Sequence, residues 1–245
     1  MSLGDVVDAQ PAKVRPDSWS DLLGALGDRR DQVAKSGKIS RRDVFDVARQ
    51  SHSSHEWTSL LIASYIWGQG PNGYGPHRLR QILMSAPREG RHLEVCLREA
   101  VAAMHSGASV DGYRRLRGAV PGLGPAFFTK FLYFAAAASA AGGTPIPPDS
   151  QKPAPLILDA VVAKQVRAVV EARCAAPLQR LAGRGDEAAP LAAWLWSDSG
   201  WTPHRYGVWL TFAQSATQQL QQEIPAWPGR TDVFELAVFQ KQLEP

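Results

Sequence analysis

Two side chains have the type and setting that nucleophilic or acid–base chemistry needs. Lys130 stands in FFTKF, with Phe127, Phe128, Phe131 and Phe134 around it, and an apolar setting promotes the neutral, nucleophilic form of an amine. Asp159 stands in LILDAVVAKQV, at the start of an apolar helical pattern. There the helix dipole and free N–H groups hold a carboxylate ionised. An amine can attack an electrophilic carbon, and a carboxylate beside it can take up a proton or stabilise a developing cation. Each residue also has a plainer use: Lys130 as a solvated or snorkelling residue on a packed helix, Asp159 as a helix cap. Asp149, in the preceding loop, is the weaker carboxylate. Lys152 and Lys164 are the other local amines, Lys164 lying roughly one and a half turns beyond Asp159 and pointing away.

A corner precedes the lysine. In RRLRGAVPGLGPAFFTKF a basic helix ends near Gly118, Val120 precedes Pro121-Gly122-Leu123-Gly124, and a second helix starts at Pro125, a residue suited to a first helical position. Two glycines around one hydrophobic residue permit a tight hairpin whose N–H groups point outward, and with a helix N-terminus they form an anion site. A DNA phosphate fits such a site without any base being read. Val120, Gly122, Leu123 and Gly124 are therefore candidate DNA contacts, supplemented by Arg115 and Arg117, with Arg114 beside them. A simple helix–helix turn is the alternative.

Helical patterns surround these residues along the chain. SWSDLLGALGDRRDQVAKSG reads as a capped helix ending at Gly37, SRRDVFDVARQS as an amphipathic one, and HEWTSLLIASYIW as an apolar one. The last is cut off by GQGPNGYGP, with four glycines and two prolines in nine residues. HRLRQILMS, RHLEVCLREAVAAMHSG, DGYRRLRGA, AAPLAAWLWS, HRYGVWLTFAQSATQQLQQ and TDVFELAVFQKQL follow the same spacing, and GGTPIPPDSQKPAP is a loop. The spacing predicts an all-α globule of roughly ten helices. Residues 1–15 read as a disordered or weakly ordered tail. Residues 16–245 read as one domain, with a hairpin part at 111–141, a loop and helix at 142–173, and a C-terminal helical part at 176–245.

Composition excludes several classes. The chain of 245 residues is long enough to need no metal or disulfide for its core. Its two cysteines, Cys96 and Cys174, argue against a disulfide framework and a four-cysteine cluster. No window reaches the roughly 18 apolar residues of a membrane span, and the polar N-terminus is not a secretory signal. A cytoplasmic location is the expectation. A net charge of +4 and a pI near 9.2 suit a partner with phosphates.

The order hairpin, Gly/Pro-rich loop, then aspartate at a helix start resembles the helix-hairpin-helix DNA glycosylase superfamily. The 8-oxoguanine DNA glycosylase branch is the most similar, over about residues 55 to 245. The resemblance implies an all-α fold in two subdomains sharing a cleft, double-stranded DNA with a damaged base as partner, and a monomer. It implies no cofactor beyond a monovalent cation at the hairpin carbonyls. It further implies excision of an oxidised purine by base flipping, with Asp159 as catalytic carboxylate and Lys130 as the amine that forms a Schiff base with the sugar. The chain departs from the pattern here: the family lysine position is Ala126, and Lys130 comes one helical turn later. If Lys130 reaches Asp159, the enzyme is bifunctional; if not, Asp159 activates water. Gln69 and Asn72 are the candidates for probing the gap or the opposite base. Trp67, Trp209 and Gln214 are the candidates for the base pocket. A non-catalytic DNA-binding module, or a glycosylase for another base, are the alternatives.

Overall fold

The computed structural model describes residues 2–71, 73–106, 108–139, 152–182 and 193–240. Asn72, Asp149 and residues 142–151 of the Pro-rich loop lie outside these. The described residues are overwhelmingly helical, as the spacing predicts. The helices are α1 (Leu3–Asp8), α2 (Arg30–Ser36), α3 (Arg41–Ser54), α4 (Trp57–Gln69), α5 (Gly75–Met84), α6 (Leu93–Ser106), α7 (Ser109–Leu116), α8 (Pro125–Ser139), α9 (Ala160–Ala182), α10 (Pro203–Glu223) and α11 (Thr231–Phe239).

Local chemistry sets most of these boundaries. Ser40 and Asp43 form a capping box at the start of α3, which satisfies orphan N–H groups at that end. At the start of α4 no side chain of the N-cap residue serves. The Glu94 carboxylate accepts instead from the N–H groups of Trp57 and Thr58, both at 2.8 Å. The helix ends at Gly70, whose φ of 63° and ψ of −155° suit glycine alone. α4 and α8 are the central helices, buried on nearly every side: Leu60, Leu61, Ile66, Phe128, Phe131 and Phe134 are inaccessible to solvent. Most of the described buried apolar side chains form one core running from Val14 to Val238.

The N-terminal fifteen residues depart from the expected tail. Ser2 and Asp5 cap α1, and Val7, fully buried, packs with Val233 and Leu236 of α11. Arg230 donates to Asp8 at 2.7 Å. Residues Pro11–Lys13 and Lys38–Ser40 form a two-stranded antiparallel ladder, with Ala12 opposite Ile39. The reason lies in distance along the chain: a polar segment is held by partners more than two hundred residues away, which no local pattern displays. The helix expected over SWSDLLGALGDRRDQVAKSG is also broken. Two 3₁₀ segments, Pro16–Trp19 and Leu23–Arg29, precede α2, because Gly27 adopts a φ of 53°. Gly37 caps α2 in the left-handed conformation, as the pattern predicts.

Candidate active site

Lys130 and Asp159 meet. The Lys130 ammonium donates to Asp159 Oδ2 at 3.0 Å and to the Ala126 carbonyl at 2.8 Å, and its side chain is 6% exposed. A helical side chain leans toward the N-terminus of its helix. The four-carbon stem thus carries the amine one turn back, over the very position the family pattern reserves for lysine. Phe127, stacked on Tyr65 at 3.9 Å, faces the amine at 5.8 Å from its ring centre. Gly68 of α4 leaves the room: a Cβ there would lie 2.4 Å from Lys130 Cδ.

Asp159 does two jobs at once. Its Oδ1 accepts from the N–H groups of Val161 and Val162 at 3.0 and 3.1 Å, capping α9, while Oδ2 faces Lys130. Burial alone raises the pKa of this carboxyl, but the Lys130 charge and the two N–H groups outweigh it and hold it below the usual carboxylate value.

The segment that delivers Asp159 is extended, and α9 begins at Ala160, directly after it. Leu156, Ile157 and Leu158 are buried without a sheet or helix to satisfy their backbone, so side chains do it. Ser109 Oγ donates to the Pro153 carbonyl at 2.6 Å, the Tyr206 hydroxyl to that of Leu156 at 3.0 Å, and Trp209 Nε1 to that of Ile157 at 3.0 Å. Glu235 Oε2 accepts from Ile157 N–H at 2.9 Å, and Thr129 Oγ1 accepts from Leu158 N–H at 3.2 Å. Trp209, a base-pocket candidate on sequence grounds, is therefore an anchor in the core: it is fully buried and its only polar atom is spent on this segment. Gln214, further along α10, is outside the cavity lining as well.

A cavity of about 210 Å³ opens beside the pair, lined by Gln10, Arg41, Trp67, Gln69, Lys130, Asp159, Glu235 and Phe239 among others. It is smaller than the roughly 300–1,000 Å³ of drug-sized sites and suits one flat heterocycle. Trp67, a base-pocket candidate from the sequence, and Gln69, a candidate for probing the gap or the opposite base, both line it. Gln10, Arg41, Glu235 and Phe239 are additions. Three of them lie in segments that read as tail or as plain amphipathic helix, and Glu235 carried no signal except a carboxylate on the apolar face of α11.

The corner is a tight turn. Leu123 N–H donates to the Val120 carbonyl at 3.2 Å, with Pro121 and Gly122 at its centre and Gly122 at φ 77°, the pattern of a type II turn. Val120 and Leu123 are buried, so their side chains anchor the turn, and only backbone could reach a phosphate there. A Cβ at Gly124 would meet nothing within 4 Å, which leaves that surface open to close approach. A groove of about 830 Å³ runs past it, lined by Arg78, Arg88 and Arg117 together with Gly122 and Gly124. Arg115 is exposed but outside this lining. A monovalent cation at the hairpin would have to share several carbonyls with hydrogen-bond donors. The carbonyls of Ala119, Val120 and Gly124 already accept backbone N–H groups, and that of Gly122 accepts from the Arg78 guanidinium at 3.3 Å. Positive charge at this turn comes from a side chain.

Among the described residues no cluster of His, Cys, Asp and Glu could hold a metal, and no helix is long and apolar enough to cross a membrane. No curated protein and no solved structure matches the chain. A family model does match, over residues 5–239, a span that includes the hairpin, both members of the Lys130–Asp159 pair and the cavity around them. Its description is "Putative 8-oxoguanine DNA glycosylase OGG-like protein", and with nearly the whole chain matched, the protein belongs to that family.

Proposed function

We propose that the protein is a DNA glycosylase with an associated lyase step, which takes an oxidised purine of the 8-oxoguanine class out of double-stranded DNA. The observation that carries this reading is the 3.0 Å contact between Lys130 Nζ and Asp159 Oδ2, in the wall of a base-sized cavity and one short helix turn from an arginine-lined hairpin groove. The hairpin N–H groups, Arg88 and Arg117 hold the phosphates. The damaged nucleotide turns out of the stack into the cavity, against Trp67 and Phe239.

Asp159 takes a proton from the Lys130 ammonium, and the freed amine attacks the sugar C1′. The C1′–N9 bond breaks, its electron pair leaves with the base, and the base is protonated. Asp159 hands the proton it took from Lys130 to the departing base and, an anion again, stabilises the positive charge that builds on the sugar. Opening of the sugar ring gives a Schiff base between Lys130 and C1′. Loss of a C2′ proton then expels the 3′ phosphate and breaks the strand.

The test is borohydride trapping on duplexes that carry 8-oxoguanine opposite each of the four bases. The expected result is a covalent adduct that disappears in Lys130→Gln. In Asp159→Asn, base release should fall by roughly 10²–10⁴-fold. Base release without an adduct would reassign the attack to water activated by Asp159. Duplex binding with neither release nor adduct would leave only a DNA-binding module.

A further inference from the structure

The carboxylates and the Gln10 oxygens beside Lys130 already hold donors. Asp159 accepts from three donors. Glu235 Oε1 accepts from Arg41 at 2.9 Å and Oε2 from Ile157 N–H. Gln10 Oε1 accepts from Arg41 Nε at 2.7 Å, and the Gln10 carbonyl accepts from Arg41 N–H and from Trp67 Nε1. The Ile157 carbonyl is used by Trp209.

Among the buried side-chain donors of this lining, one stands without a partner, and it is a costly one. Arg41 is 1% exposed, yet its Nη1 has no acceptor among the described residues. A buried guanidinium nitrogen without a partner is rare, because the lost hydration is not returned. The group cannot swing away to find one. Nε and Nη2 are held by Gln10 and Glu235, and the guanidinium carbon sits 5.0 Å from the Trp67 ring centre and 5.2 Å from that of Tyr133. Arg41 and Trp67 line the same cavity.

We propose that Arg41 is the residue that selects the base: Nη1 donates to a carbonyl oxygen of the everted purine, and the cavity therefore takes a purine that sets an oxygen against Arg41 and rejects one that sets an amino group there. This rests on the glycosylase reading above and deepens it. An exocyclic amino group set against Arg41 would place donor against donor and leave both unpaired. An oxygen there gives the buried Nη1 the acceptor it lacks among the described residues.

The experiment compares single-turnover release of 8-oxoguanine, hypoxanthine, 8-oxoadenine and adenine from otherwise identical duplexes. Borohydride trapping on a preformed abasic duplex, which needs Lys130 but no base, runs in parallel. Wild-type protein should release at least one of the three oxygen-bearing bases about 100-fold faster than adenine. In Arg41→Gln, release of that base should fall about 100-fold more than abasic trapping does. If Arg41→Gln does not fold, Arg41→Lys, which keeps a cation against Glu235, should give the same split. Release and trapping that fall together would make Arg41 a structural residue only, and adenine released as fast as every oxopurine would overturn the proposal without any variant. A wild-type protein that traps abasic DNA and releases none of the four bases would overturn the glycosylase reading itself and Arg41's role with it.

Discussion

At the scale of single residues, the site turns on a lysine that comes late in sequence and arrives on time in space. Lys130 Nζ reaches the Ala126 carbonyl because its stem follows the backward lean of helical side chains. Its charge and two N–H groups keep the Asp159 carboxyl low. For a carboxyl whose folded pKa is depressed, the stability it brings is present at neutral pH and is lost as pH falls through that folded value. Asp159→Asn should therefore cost about 2–4 kcal/mol in urea unfolding at pH 7, because a buried ammonium loses its counter-ion. The gap from wild type should close in strong acid. Lys130→Met should cost less, since Asp159 keeps both of its N–H partners. A gap that stays constant from pH 7 into acid would show that the pair does not contribute through its charge.

At the scale of elements, α4, α8 and the extended segment before α9 form the frame of the site. The close approach of α4 to α8 depends on Gly68, where a Cβ would meet Lys130 Cδ at 2.4 Å and Cε at 2.8 Å. Lys130 is flexible, and alanine favours a helix over glycine by up to about 1 kcal/mol. Gly68→Ala should nevertheless lower the melting temperature, because the amine pushed off Asp159 costs more than the propensity returns, with borohydride trapping slowed by about tenfold or more. Normal trapping in a folded Gly68→Ala protein would mean that the amine does not need this seat. The extended segment is legible only in part. Asp159 reads as a helix start, and it is one, but the side chains that pin residues 153–158 come from α7, α8, α10 and α11, and nothing in LILDAVV announces them.

At the scale of the whole molecule, distant segments converge on two surfaces. Arg78 from α5, Arg88 from the turn after it and Arg117 from the end of α7 line the hairpin groove. Each phosphate neutralised releases counter-ions, so replacing Arg88 or Arg117 by alanine should weaken duplex binding uniformly across sequences. The slope of log affinity against log salt should fall by about 0.9 for each. An unchanged slope for both would move the phosphate path elsewhere. On the second surface, the N-terminal segment brings Gln10 to the cavity and α11 brings Glu235. Arg41, which bonds to both, bridges residues 31 and 194 positions away in the chain.

The sequence by itself determined what depends on neighbours along the chain. Helical spacing, Gly and Pro punctuation, the Pro121-Gly122 turn and the capping position of Asp159 all follow from local sterics and hydrogen bonding. The pairing of Lys130 with Asp159 was legible as two candidate residues but not as a contact. Only the tertiary structure decided that contact, the roles of Arg41, Gln10 and Glu235, and the use of Trp209 as an anchor rather than a base platform. The physical reason is that a buried polar group must find its partner wherever the fold brings one. That partner is set by packing in three dimensions, and no periodicity in the chain records it.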